Sequence, residues 1–364
     1  MKKRVLVAMS GGVDSSVAAY LLKKDGFKVA GVTMCLGVKE TGKEKPACCG
    51  PEAINDAKKV CRKLKIPHYV MDFSKQLEEE VIDKFITEYL SGRTPNPCVD
   101  CNRALKFGTL LEKALAMEFD FLATGHYAKL VSSRILSAGK GKKVFLLKRA
   151  KDRKKDQSYF LYAVKRDVLK SILFPLADLT KDEVRAIAKK ASLPVAEKKE
   201  SQDICFVAGG DRRKFFSERT EGTTKRGPIV TLEGNLLGEH NGAAFYTIGQ
   251  RKGLGVGHRH PLYVLSADAE ENKLVVGKKE DLTSHGLLAE KANLLVDELP
   301  RKAFVKIRYN QKKAKCTVFP RRNGESFELV FEEPQEAVTP GQSAVLYNGD
   351  VVLGGGVIEK VIRR

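Results

Sequence analysis

A glycine-rich loop between an apolar strand and a helix constrains the fold of this chain most. Val5 to Met9 is a short apolar run, Ser10 to Ser16 reads SGGVDSS, and Val17 to Lys24 is apolar at helical spacing. Glycines let a ligand approach the backbone, and successive N–H groups leading into a helix form a cradle for phosphate. No Gly-Lys-Ser/Thr follows, so the loop is not a Walker A motif. The other interpretation is an ordinary turn capped by serines.

The alternation of strand and helix continues beyond this loop. Helical patterns cover residues 54–64, 77–90 and 104–117, and extended apolar runs cover 68–73 and 119–124. Repeated units of this kind predict an α/β domain, a parallel sheet with helices on both faces. Ligands then bind at the carboxyl ends of the strands.

After about residue 205 the pattern changes to short strands. Residues 227–279 are rich in glycine and read as small hairpins, and residues 287–364 contain several alternating strands separated by turns. We therefore predict three domains: a catalytic α/β domain at 1–205, a small, mostly β central domain at 206–281, and a C-terminal β-barrel at 282–364.

The charge of the chain is concentrated in two segments. The 364 residues carry a formal net charge of +20, and residues 129–156 hold eleven Lys or Arg against two Asp. Residues 301–322 hold nine Lys or Arg and no acid. Each run alone could be a solvated surface, but two dense runs in a nearly neutral background predict a nucleic acid partner.

The sequence also predicts the compartment. No stretch approaches the roughly 18 apolar residues of a membrane span, and Met1-Lys2-Lys3-Arg4 leads straight into a strand without a signal-peptide pattern. We expect a cytoplasmic chain without a membrane partner. In that reducing compartment, eight cysteines favour thiol chemistry, metal binding or burial over a disulfide framework.

Two cysteine motifs are candidates for that chemistry. Cys98 and Cys101 form a CxxC after a rigid proline-containing loop, and a helix N-terminus with Arg103 and Lys106 nearby predicts a thiol of lowered pKa. No second ligand pair follows at zinc spacing. Cys205, in ESQDICF, would alone be interpreted as a small buried residue. The remaining cysteines we interpret as structural: Cys35, Cys48, Cys49, Cys61 and Cys316.

Together these motifs resemble the tRNA-uridine 2-sulfurtransferases, the MnmA/TrmU family of tRNA-specific 2-thiouridylases in the PP-loop ATP pyrophosphatase superfamily. The resemblance runs the length of the chain: AMSGGVDSS, GRTPNPCxxCN, ATGHYA, KDQSYFLY, SQDICF, YTIGQRKGLG, IRY and PGQSAVLY. It implies an adenine nucleotide alpha hydrolase-like first domain. It also implies ATP-dependent 2-thiolation of the wobble uridine, with tRNAs for Lys, Glu and Gln as acceptors.

The resemblance assigns roles to individual residues. Adenylation of the uridine O2 would be followed by sulfur transfer from a Cys205 persulfide, with Cys101 as partner thiol and Asp14 helping to hold Mg²⁺ on the phosphates. The implied ATP contacts are Ala8, Met9, Ser10, Gly11, Gly12, Val13, Asp14, Ser15, Met34 and Gly125. The implied tRNA and target-base contacts are Asn96, Pro97, Cys98, His126, Lys155, Asp156, Gln157, Arg308, Tyr309 and Gln342. We expect a monomeric enzyme whose second partner is a sulfur donor protein, either a cysteine desulfurase or a relay protein. The two basic runs would then bind two parts of one tRNA.

One position departs from the family, since many members carry an aspartate where this chain has Cys98. Cys98, Cys101 and Cys205 would then be ligands of an iron–sulfur cluster that delivers the sulfur, as an alternative to the persulfide. Two other functions stay open. The first is a different PP-loop adenylating enzyme, such as an amidotransferase-type or lysidine synthetase, which needs neither Cys101 nor Cys205. The second is a non-enzymatic RNA-binding or iron–sulfur carrier protein.

Overall fold

The structure is a computed structural model and describes residues 2–37, 50–137, 140–199, 204–207, 212–220, 225–321 and 324–363. The chain forms two compact units. The first comprises Met1–Val81, Cys98–Gly210 and Asp350–Val352, and the second comprises Ile82–Pro97, Asp211–Gly349 and Leu353–Arg364. None of the described helices is both long and apolar enough to cross a membrane.

Strands and helices alternate through the first half of the chain. In order they are β1 (Arg4–Ala8), α1 (Val13–Lys24), β2 (Lys28–Cys35), α2 (Pro51–Lys63), β3 (His68–Asp72), α3 (Ser74–Leu77), α4 (Asp83–Leu90), α5 (Pro97–Asp100), α6 (Leu111–Ala116), β4 (Phe121–Ala123), β5 (Ala128–Ser137), β6 (Lys140–Arg149), β7 (Ile172–Leu173) and α7 (Lys181–Lys190). π-Helical segments at Glu78–Ile82 and Cys101–Leu110 join α3 to α4 and α5 to α6, and 3₁₀ turns lie at Ser158–Phe160 and Arg166–Ser171.

The first unit is built on a five-stranded sheet in the order β3-β2-β1-β4-β7, and every pairing is parallel. Val5 and Val7 of β1 pack into a core with α1, α2 and α7. Leu6 points to the opposite face and is also fully buried, so both faces of the sheet are covered. The predicted parallel α/β domain is confirmed, and the glycine-rich loop lies at the carboxyl end of its central strand.

A long hairpin interrupts this alternation. β5 and β6 pair antiparallel from Ala128 opposite Arg149 to Ser137 opposite Lys140. The sequence pattern did not predict this hairpin, and it carries most of the basic run at 129–156.

The second unit contains α4, one further helix and most of the remaining strands. In order these elements are α8 (Arg212–Arg219), β8 (Gly227–Val230), β9 (Leu236–His240), β10 (Tyr263–Asp268), β11 (Lys273–Gly277), β12 (Thr283–Leu294), β13 (Lys302–Lys306), β14 (Ala314–Arg321), β15 (Ser326–Glu336), β16 (Ser343–Asn348) and β17 (Val351–Ile362), whose first two residues belong to the first unit. Further 3₁₀ turns lie at Ala243–Phe245 and Lys279–Leu282.

Two β structures make up this unit. The smaller is a sheet in the order β10-β11-β8-β9 with its own apolar core around Val264 and Leu274. The larger has the order β12-β15-β14-β13-β16-β17, and pairing of β12 with β17 closes it into a six-stranded barrel filled by Leu287, Val305 and Phe327. The predicted mostly β middle region and C-terminal barrel are therefore confirmed.

Candidate active site

The glycine-rich loop is held in shape by its own serines. The hydroxyls of Ser15 and Ser16 both donate to Gly12 O, at 3.3 and 2.8 Å. Gly11 has a φ of +70°, and a Cβ there would lie 2.3 Å from Ala53 O, so the position requires glycine. No side chain of the described residues caps α1 at Gly12. The first N–H groups of α1 are thus oriented as a phosphate cradle requires.

An ion pair that the sequence did not predict lies beside this loop. Lys181 Nζ contacts both carboxylate oxygens of Asp14, at 2.7 and 2.9 Å, and the Tyr127 hydroxyl donates to Asp14 Oδ1 at 2.8 Å. The Lys181 side chain is 10% exposed and that of Asp14 is 32% exposed. The Thr180 cap predicts a helix start at this point, but no local pattern connects position 181 with position 14.

Gly125 lies directly against the same loop. A Cβ at Gly125 would lie 2.6 Å from Ser15 N and 2.8 Å from the carbonyl carbon of Asp14. Met34 is buried near the end of β2, the neighbour of β1 in the sheet. The loop, Met34 and Gly125 therefore share the carboxyl edge of the parallel sheet, where nucleotides bind in folds of this class.

The two cysteines of the CxxC motif lie in different environments. Cys98 is exposed in α5, whereas Cys101 begins the following π-helical segment and is 9% exposed. Burial raises the pKa of the Cys101 thiol, with a lowering effect of Lys106 and a raising effect of Asp100. The predicted lowered pKa is wrong for Cys101, because desolvation outweighs the nearby cation and the helix-terminus effect fades beyond the first turn. Arg103 pairs instead with Asp100 at 3.7 Å.

His126 lies beside the helix that carries these cysteines. Its ring packs against Phe107 and Phe174, with centroids 5.9 and 6.1 Å away, and its Nδ1 forms a 2.8 Å hydrogen bond with the Thr124 hydroxyl. Burial and the charge of Lys106 lower the pKa of His126 well below its usual value. The imidazole is therefore neutral at pH 7. It can form a hydrogen bond with a nucleobase without introducing a positive charge.

Replacing Lys106 is expected to shift the pH dependence of the thiol chemistry. Lys106 Nζ donates to Asn102 Oδ1 at 3.0 Å, and its charge stabilises the Cys101 thiolate. In Lys106→Met the pKa of Cys101 rises further, so alkylation of this thiol by iodoacetamide slows about three- to tenfold at pH 8. The midpoint of the curve of alkylation rate against pH moves to higher pH. Iodoacetamide rates measured in a Cys98→Ser background between pH 7 and 10 test this. Lys113→Met, an exposed lysine of α6, is the matched control, and an unshifted profile in Lys106→Met would contradict the assignment.

Cys205 is half-buried within the described stretch 204–207, and residues 200–203 of its motif lie outside the described residues. In the part of the chain that the structure describes, no three His, Cys, Asp or Glu side chains come together as metal ligands. Cys98, Cys101 and Cys205 are thus not arranged as the three-thiolate set that a cluster needs.

The other cysteines divide by burial. The thiols of Cys61 and Cys316 are buried, which raises their pKa values to about 11 and about 12. Such thiols stay protonated and unreactive, as expected of structural residues. Cys35 is half-buried at the end of β2, and Cys48 and Cys49 lie outside the described residues.

Asp156, implied as a tRNA contact, is almost completely buried. Its carboxylate accepts from Arg149 Nε at 2.7 Å, from Ala150 N at 3.2 Å and from the hydroxyl and N–H of Ser158. Gln157 is also engaged, since its Oε1 accepts from Tyr127 N at 3.0 Å. In this structure both side chains hold the chain in place around the site, so direct contact of Asp156 with RNA is not supported.

Asp156→Ala is accordingly expected to act on stability. Removing one partner leaves Arg149, which is 17% exposed, without its carboxylate and two backbone N–H groups without an acceptor. The free energy of unfolding should fall by about 3 kcal/mol or more. Urea unfolding measures this, with Asp178→Ala as control, because its exposed pair with Lys129 is worth at most about 1 kcal/mol. Equal stability of the two variants, together with weaker tRNA binding by Asp156→Ala, would restore the RNA-contact role.

The loop before Cys98 rests on the turn before β16 in the second unit. Gly341 has a φ of +88° and a Cβ there would lie 2.9 Å from the backbone of Thr94. Gln342 Nε2 donates to Thr94 O at 2.8 Å and to Pro95 O at 3.2 Å. Gln342, implied as a tRNA contact, thus supports the backbone that presents the half-buried Asn96.

Arg308 and Tyr309 likewise have partners in their own unit. Arg308 Nη2 donates to Ala337 O and to the Thr339 hydroxyl, each at 2.7 Å. Lys306 Nζ lies 5.4 Å from the centre of the Tyr309 ring. Tyr309 is half-buried.

Many charges of the two basic runs are matched within their own units. The pairs in the first run are Lys129 with Asp178, Arg149 with Asp156, Lys151 with Glu183 and Arg153 with Asp350. In the second run, Lys315 pairs with Glu332 and Arg321 pairs with Glu328. The charge available to a polyanion is therefore smaller than the formal count of either run.

Comparison with known proteins covers the whole chain. Residues 3–209 match the family model described as the tRNA methyl transferase HUP domain, residues 214–278 the tRNA methyl transferase PRC-barrel domain, and residues 284–358 the aminomethyltransferase beta-barrel domain.

Two of the family models are described by the words methyl transferase, whereas the relatives that match over almost their whole length are named as thiouridylases. The tRNA-specific 2-thiouridylase MnmA 1 of Syntrophus aciditrophicus is 54% identical, covering 100% of this chain and 94% of the relative. The tRNA-specific 2-thiouridylase MnmA of Moorella thermoacetica is 49% identical, covering 98% of this chain and 99% of the relative. The tRNA-specific 2-thiouridylase MnmA of Carboxydothermus hydrogenoformans is 48% identical, covering 99% of this chain and 98% of the relative. With this identity over the whole length, the chain belongs to the family of the tRNA-specific 2-thiouridylases.

Proposed function

We propose that this chain is a tRNA-uridine 2-sulfurtransferase that uses ATP bound at the glycine-rich loop. The observation that carries the proposal is the placement of Gly125 and His126. Gly125 lies against Asp14 and Ser15 of the loop, while the next residue packs on Phe107 of the helix that carries Cys101. Two consecutive residues therefore link a nucleotide cradle to a buried thiol within one compact unit.

The first half-reaction activates the uridine. The O2 oxygen attacks the α-phosphorus of ATP, pyrophosphate leaves, and the oxygen becomes part of an AMP leaving group. The N–H groups at the start of α1 stabilise the charge on the phosphates, because they are already oriented before the substrate binds. The neutral His126 is the side chain of this unit that we propose for contact with the target base.

The second half-reaction replaces oxygen with sulfur. A donor protein places a sulfur atom on Cys205 as a persulfide. The Cys101 thiolate attacks the inner sulfur, which forms a Cys101–Cys205 disulfide and releases hydrosulfide. Hydrosulfide then attacks C2 of the activated uridine and AMP leaves with the original oxygen. A thiol reductant restores the two cysteines.

The described residues do not favour the metal-dependent versions of this scheme. The three cysteines are not gathered as cluster ligands, so we derive no step through a cluster. Asp14 already receives hydrogen bonds from Lys181 and Tyr127, and the residues that the structure describes hold no group of three carboxylate, His or Cys ligands for a resident Mg²⁺. An ion that accompanies ATP would be held mainly by the phosphates.

The proposal is tested with the purified full-length chain, ATP, sulfide and total tRNA. Thiolated tRNA is retarded on a mercury-containing gel, and mass spectrometry of the digested RNA identifies 2-thiouridine and its acceptor tRNAs. We expect Lys, Glu and Gln acceptors and strict dependence on ATP. Formation of AMP without any thiolated RNA would favour a different PP-loop adenylating enzyme, and binding of RNA without AMP formation would favour a non-enzymatic protein.

A further inference from the structure

We propose that Lys181 is a positioning residue of the ATP site, which neutralises and orients Asp14 so that its carboxylate does not repel the triphosphate. This inference rests on the proposed binding of ATP at the glycine-rich loop. No motif assigned a role to Lys181, and the helix that it begins would by itself be interpreted as structural.

The ion pair is held rigidly from the lysine side. Lys181 N donates to Asp152 Oδ2 at 2.9 Å, and the helix start is fixed by the reciprocal capping bonds of Thr180 and Glu183. Lys181 Nζ, the atom that contacts Asp14, also lies 5.9 Å from the centre of the Tyr127 ring. With 10% exposure, the ammonium has little freedom to leave the carboxylate.

The position of Asp14 explains why such a partner is needed. Asp14 is the second residue of α1, inside the turn whose N–H groups form the phosphate cradle. An ionised carboxylate in that turn stabilises the empty helix but repels a bound triphosphate, because like charges a few ångströms apart oppose each other strongly at low dielectric constant. Lys181 and the Tyr127 hydroxyl together contact both oxygens of Asp14 and direct its charge away from the ligand.

Binding of ATP to variants of the full-length chain separates this role from a structural one. Isothermal titration with ATP and Mg²⁺ should show about tenfold weaker binding in Lys181→Met, since one charge–charge interaction near a protein surface has this order of magnitude. Lys181→Arg should retain most of the affinity. The double variant Asp14→Asn/Lys181→Met should bind ATP several times more tightly than Lys181→Met, because the uncompensated carboxylate is gone. Lys151→Met, which removes an exposed pair with Glu183 on the same helix, should bind like wild type.

Each result points to one conclusion. Absence of ATP binding in the wild type would overturn the proposed function and this inference with it. Normal wild-type binding with unchanged affinity in Lys181→Met would overturn the inference alone. Equal weakening in Lys181→Met, Lys181→Arg and the double variant would assign the lysine a purely structural role, and a thermal unfolding curve for each variant shows whether lost folding is the cause.

Discussion

Cys101→Ser is expected to reduce thiolation of tRNA by at least about a thousandfold when a persulfide donor supplies the sulfur, because loss of an essential nucleophile removes most of the rate enhancement. A hydroxyl cannot resolve the Cys205 persulfide, because no stable sulfur–oxygen linkage takes the place of the disulfide. Adenylation of the uridine with release of pyrophosphate should continue, since the glycine-rich loop does not depend on the thiol. The measurement is single-turnover thiolation on a mercury gel, with release of pyrophosphate recorded in parallel.

Two further variants sharpen this result. Cys316→Ala removes a buried barrel cysteine whose pKa is raised to about 12, so thiolation should stay near the wild-type rate. Cys98→Ser distinguishes the two sulfur routes, because a persulfide mechanism needs Cys101 and Cys205 only, whereas a cluster loses a ligand with any of the three. Loss of activity in Cys98→Ser as severe as in Cys101→Ser, together with iron in anaerobically purified protein, would overturn the persulfide route.

The sequence predicted most of the fold, because the periodicity of apolar residues within a short segment determines whether that segment forms a strand or a helix. The apolar run of β1, the glycine-rich loop and α1 are adjacent in the sequence, and the parallel sheet follows from repeating that unit. The barrel strands β13 to β17 also lie within residues 287–364, where the sequence predicted alternating strands, for example β16 at Ser343–Asn348. The hairpin of β5 and β6 escaped prediction because its strands are rich in Lys and Arg, which obscures the alternation of apolar residues.

The site was less predictable because its chemistry depends on distant partners. Lys181 reaches Asp14 only after the chain has folded, and no spacing rule connects residues so far apart. The pKa of Cys101 depends on how much protein surrounds the thiol, which a neighbouring cation in the sequence does not show. Counting charges also overestimates the surface available to RNA, because folding pairs lysines such as Lys151 and Lys315 with carboxylates.

Gly125→Ala is expected to lower ATP-dependent AMP formation about a hundredfold, the cost of displacing a reacting group by roughly an ångström. The added Cβ would lie 2.6 Å from Ser15 N and 2.8 Å from the carbonyl carbon of Asp14. Both atoms are backbone, so the methyl group cannot be accommodated by a side-chain rotation. Either the start of α1 or the turn after β4 must move, and both carry groups proposed to contact substrates.

A second glycine shows whether the close contact itself is responsible. Gly257→Ala introduces the same methyl group where nothing lies within 4 Å and φ is not in the left-handed region, so activity and thermal stability should stay unchanged. Steady-state kinetics should show the loss in Gly125→Ala as a fall in kcat/KM for ATP, with the folded state retained by circular dichroism. If Gly125→Ala formed AMP as fast as Gly257→Ala, the link between the phosphate cradle and the turn that carries His126 would not matter for the reaction. The proposed coupling of nucleotide and base sites through these two residues would then be wrong.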